Sequence, residues 1–125
     1  MRRSLKKPLV NNMSTIDTLI ETMQKRVESE EIIGPHDWID YAGRLNLFRG
    51  IDDNALYKLG QRIARQRAEY VKDGMTVAAA RTLIEATDEY VEYKQLQAKL
   101  DRVTEEIRLA KIRSRSASEE MKGYH

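Results

Sequence analysis

The sequence predicts an all-α protein, a helical hairpin or bundle with a long heptad-bearing C-terminal helix that assembles as a homo-oligomer. Three observations predict it. Only two prolines and six glycines occur in 125 residues, and the run from Met75 to Lys122 holds neither. Such a run far exceeds the usual strand. Apolar side chains recur at helical steps of three and four. The chain is 41% hydrophobic and 34% charged, which suits helices that each keep one wet face.

The length predicts one domain with a modest core. Within it, 1–13 is expected to be a flexible basic arm (Arg2, Arg3, Lys6, Lys7), 14–74 a three-helix region and 75–122 the oligomerisation helix. Met13 is a second possible translation start, so function is not expected to rest on the arm alone. Ser14 is the expected N-cap of the first helix, with Asp17 three residues on. Ile16, Leu19, Ile20, Met23 and Val27 then form one apolar stripe, and Gly34-Pro35 closes the segment that follows. The second helix starts near His36 or Asp37 and turns Trp38, Tyr41, Ala42, Leu45 and Phe48 inward. Gly50 is its expected stop.

Asp52 or Asp53 is expected to cap the third helix, which runs to about Asp73 before Gly74. Its apolar face is Leu56, Leu59, Ile63, Tyr70 and Val71. Lys58, Arg62, Arg65 and Lys72 fall within about 80° on the opposite side, interrupted by Glu69. Arg67 is the misfit, since helical spacing turns it towards the apolar side.

Thr76 is expected to cap the last helix, which continues to about Met121. Tyr93, Leu96, Leu100, Val103, Ile107, Ala110, Ser114, Ala117 and Met121 keep steps of three and four throughout, a coiled-coil register. Val77, Ala80, Ile84 and Val91 follow another phase. The stripe therefore shifts near Thr87–Tyr93, through a bend or a change of packing partner. Leu109 and Ile112 lie off the seam and imply a second partner. Ala110, Ser114 and Ala117 are small enough for backbones to approach closely. Together these predict self-assembly through this helix.

A non-enzyme without cofactor or metal is expected. There is no cysteine, hence no disulfide, thiolate site or thiol nucleophile. The two histidines are His36 and His125; His36 beside Asp37 and Asp40 reads as a helix start rather than a metal site. No phosphate loop, nucleophile elbow or zincin motif occurs. No apolar run approaches the roughly 18 residues that span a bilayer. The basic start lacks a following apolar region, so a cytoplasmic protein with no membrane partner is expected.

Charge is what remains. The net +2 divides into blocks of +4 over 1–13, −5 over 14–57, +3 over 58–74, −3 over 75–107 and +3 over 108–125. Basic surfaces suit a polyanion and acidic ones suit protein partners. Arg108, Lys111 and Arg115 share one helical face as a second basic patch, with Arg113 elsewhere around the same helix. Tyr70, three residues after Arg67, stands where an aromatic could stack a base beside a cation. No base-reading motif accompanies these residues, so binding is expected to ignore sequence.

The stretch Arg65-Gln66-Arg67-Ala68-Glu69-Tyr70, followed by Gly74, resembles the basic-x-Arg-x-acid-Tyr stretch of phage recombination mediators of the UvsY type. The order of elements from about Leu56 to Met121 is also similar. So is the ending, where Lys111, Arg113 and Arg115 precede an assembly segment. The resemblance implies a protein that binds single-stranded DNA, forms a ring-like oligomer through its C-terminal helix, and helps a recombinase displace single-strand-binding protein. It assigns DNA binding to Arg65 and Arg67. The chain departs from the family in having one tyrosine where two are usual, and in its added arm. Two rival expectations stand beside it: a virion- or scaffold-like structural protein, and a small inhibitor that masks a nucleic-acid-binding surface.

Overall fold

The computed structural model describes residues 15–123. The arm 1–13, the expected cap Ser14 and His125 lie outside them. Four helices and no strand occur among the described residues: α1 (Thr15–Glu28), α2 (Pro35–Lys72), α3 (Val77–Glu85) and α4 (Asp88–Gly123). The all-helical expectation holds.

Helix α1 ends where Ser29 Oγ donates to the Arg26 carbonyl and Glu30 turns into the left-handed region at φ 57°. The Arg26 guanidinium then spans the connection, donating to Glu31 (2.6 Å) and Asp37 (3.2 Å). These contacts raise its already high pKa, the Glu31 hydrogen bond first and the Asp37 one second. Pro35 opens α2, where its fixed φ and missing N–H cost nothing.

Helix α2 corrects one expectation. Two helices separated at Gly50 were predicted, yet a single helix of 38 residues runs through that position. A helical glycine costs only about 1 kcal/mol against alanine, and no proline follows to enforce a stop. Asp52 and Asp53 are helix interior rather than caps, and Asp52 instead ion-pairs with Lys99 at 3.4 Å.

The C-terminal helix is corrected in the opposite sense. Thr76 caps α3 as expected, its Oγ1 accepting from the Ala79 N–H at 3.0 Å. The helix then stops at Glu85. Thr87 Oγ1 donates to the Ile84 carbonyl (2.6 Å) and accepts from the Tyr90 N–H (3.2 Å), closing α3 and starting α4 with one side chain. This interruption coincides with the shift in apolar phase.

The chain forms two compact units, one comprising the described residues up to Phe48 and from Val103 onward, the other Arg49–Arg102. In the first, Ile16, Ile20 and Met23 of α1 meet Trp38, Tyr41, Ala42 and Leu45 of α2 and Val103, Ile107 and Ala110 of α4. Trp38 and Tyr41 pack edge to face at 6.2 Å, and the Tyr41 hydroxyl donates to Glu106 at 3.2 Å. Leu45 and Val103 are wholly buried. Burial of each such side chain contributes about 1.5–3 kcal/mol. In the second unit, Leu59 and Ile63 of α2 pack with Ile84 of α3, flanked by Tyr70, Tyr90 and Tyr93.

Most of the heptad seam is buried within the chain. Leu100, Val103, Ile107, Ala110 and Ser114 are all buried within the single chain, and Ser114 Oγ donates to the Pro35 carbonyl at 3.2 Å. The register that predicted contact between chains is satisfied here inside one chain. Of the other residues assigned to assembly, Leu96, Leu109 and Ala117 are half-buried, while Ile112 and Met121 are exposed.

Candidate nucleic-acid interface

Residues 58–72 of α2 lie within the second unit, and its core sets their orientation. Leu59 and Ile63 are buried and Tyr70 half-buried, so the opposite side of the helix faces water. Lys58, Arg65 and Lys72 stand on that side, exposed and without an ion pair among the described residues. Their spacing is i, i+7 and i+14. At about 1.5 Å per residue, successive cations are about 10.5 Å apart along the axis and drift only about 20° per heptad. They form one row.

The other members of the predicted site separate from this row. Arg62 Nε donates to Glu89 at 3.1 Å, so its charge is partly answered by α4. Arg67 is exposed, but a two-residue step turns it about 160° from Arg65 around the helix. The two arginines singled out by the resemblance therefore point to different flanks. Tyr70 packs against the second core, and its hydroxyl accepts from Gln66 Nε2 at 2.9 Å. Its ring is core first.

The second basic patch is reduced in the same way. Arg108 grips both Glu105 oxygens through Nε, at 3.0 and 2.9 Å, and donates again through Nη2 at 2.6 Å. That fork holds the Glu105 carboxyl below the usual carboxylate range, chiefly through the hydrogen bonds. Arg113 lies 5.2 Å over the Trp38 ring in a cation–π contact. Lys111 and Arg115 remain exposed, about 40° apart on one flank of α4 and without an ion pair among the described residues.

A feature missed in the sequence lies beside the cation row. Tyr57 is 64% exposed, and Gln61 Nε2 donates to its hydroxyl at 2.9 Å. Tyr57, Gly60, Gln61 and Ala64 line an open groove of about 510 Å³ together with Tyr93. Gly60 permits the groove, because a Cβ there would meet Tyr93 Cε1 at 3.2 Å. The signal was present as Gly50, Asn54, Tyr57, Gln61, Ala64 and Ala68, an uncharged row with steps of four and three on the wet side of α2.

No helix of the described residues is long and apolar enough to cross a membrane. No family model matches the chain, and neither does any curated protein or solved structure.

Proposed function

We propose that the chain is a single-stranded-DNA-binding recombination mediator that grips the phosphate backbone without reading sequence. The observation that carries this reading is the row Lys58–Arg65–Lys72, three exposed cations without an ion pair among the described residues and in register along one helix. A row of this kind neutralises phosphates and releases counterions whatever the bases are. Arg67, Lys111 and Arg115 add exposed positive charge on other flanks. The recombinase and the single-strand-binding protein named by the resemblance belong to the same proposal.

Self-association belongs to it as well. With most of the seam occupied by the chain's own core, the exposed Val91, Ile112 and Met121 and the half-buried Leu96 and Leu109 are apolar side chains of α4 left to support it.

The test is a fluorescence-anisotropy titration of a labelled thymidine oligomer at two salt concentrations. With three phosphates neutralised, single-strand affinity should fall about twentyfold between about 50 and 200 mM salt. Replacing Lys58, Arg65 and Lys72 together by alanine should remove most of that dependence and leave the helical circular dichroism intact. An unchanged salt slope in the triple variant would move the interface elsewhere.

A further inference from the structure

We infer that the groove lined by Tyr57, Gly60 and Tyr93 receives an unstacked base of a single strand whose phosphates lie along Lys58, Arg65 and Lys72. This rests on the function proposed above and adds a second contact class to it. Lys58 follows Tyr57 by one residue and Arg65 by eight, so both cations stand a quarter turn around α2 from the tyrosine, at about 80–100°. The groove row and the cation row therefore run side by side along the same helix.

A flexible strand has its charge on one edge and its flat, neutral bases on the other. Two adjacent rows, one cationic and one uncharged with an exposed aromatic ring at Tyr57, match those two edges. Asp53 also lines the groove, and its carboxylate repels phosphate while tolerating a neutral base. Tyr57 supplies the exposed ring, and Gln61, bonded to its hydroxyl, restrains that ring along the helix. Tyr93 lies against Gly60, so a second aromatic ring lines the groove beside Leu56. Duplex DNA keeps its bases stacked and offers nothing to insert. The occupant is thus a base from a single strand, and the aromatic in contact with it is Tyr57, not Tyr70.

The experiment compares a labelled thymidine oligomer with an abasic oligomer of the same length, using anisotropy on the full chain. The wild-type chain should bind the thymidine oligomer roughly tenfold more tightly, because stacking of one base is removed with the base. Tyr57→Ala should erase that difference while keeping the abasic affinity, and Tyr57→Phe should preserve it, since the ring stacks and the hydroxyl does not. Tyr57 is exposed, so circular dichroism should stay unchanged in both variants. Equal binding of the two oligomers by the wild-type chain would overturn the base contact while leaving the phosphate row standing. Wild-type affinity for neither oligomer would overturn both. A Tyr57→Ala variant that alters only the sedimentation of the free chain would assign the groove to a second copy instead.

Discussion

Single side chains here divide into those whose charge is committed and those whose charge is free, and the division could not be read from spacing. Arg62 and Arg65 look alike on a helical projection, but a carboxylate 27 residues away in sequence answers the first. Arg113 is likewise committed, its guanidinium lying over Trp38, the chain's sole tryptophan. Arg113→Ala should therefore destabilise the first unit by about 0.5–1 kcal/mol and redden the Trp38 emission as water reaches the ring. Urea unfolding followed by fluorescence measures both, and an unshifted emission maximum would mean that the ring is shielded by something else. Glu105 gives the matching case for an acid. Its hydrogen bonds from Arg108 lower its folded pKa beneath the unfolded value. The associated stability is present above the unfolded pKa and is lost as pH falls through the folded one, so the window lies in the acid limb. The pair is solvent-exposed, and the effect on unfolding should be small. A carbon-detected NMR titration of the Glu105 carboxyl should show a depressed midpoint that returns to the ordinary range in Arg108→Ala.

At the scale of elements, Thr76 and Gly74 were legible as helix boundaries, whereas Gly50, Asp52 and Asp53 were read as boundaries inside what is one helix. Thr76 was identified because its hydroxyl can reach the N–H three residues on, a local geometry that needs no tertiary information. Gly50 was misread because a glycine permits a stop without compelling one. The continuation of α2 rests on Leu45 and Leu59, which belong to two cores on either side of it in sequence. Gly50 and Gly74 should consequently respond to alanine in opposite directions. Gly50 is helical and exposed, and a Cβ there meets nothing within 4 Å. Gly50→Ala should therefore stabilise the chain by about 0.5–1 kcal/mol. Gly74 sits at φ 105° after α2, where a Cβ is strained, so Gly74→Ala should destabilise it by about 1 kcal/mol or more. Chemical denaturation of the two variants side by side checks the signs. Destabilisation by Gly50→Ala would show that the helix needs its flexibility there.

For the whole molecule, the helical class was legible, and so was the positive block at 58–74, because period and charge are properties of the chain itself. What a seam packs against is not. Steps of three and four record that one face of a helix is buried, and a partner from the same chain buries it as well as one from another copy. Val103, Ile107 and Ala110 therefore gave a correct account of burial, and within one chain they pack with residues of α1 and α2. This has a consequence for assembly that mutation can separate. Val103 is fully buried in the first core, so Val103→Asp should abolish the cooperative melting of that core and lose helical signal at any concentration. Ile112 is 38% exposed and Met121 55% exposed, so Ile112→Glu with Met121→Glu should leave circular dichroism and the unfolding midpoint nearly unchanged. If α4 joins copies through what the core leaves uncovered, light scattering at micromolar concentration should find an oligomer for the wild-type chain and a single subunit for this double variant. A wild-type chain that scatters as one subunit would confine α4 to intramolecular packing, and single-strand binding would then depend on the cations of one copy alone.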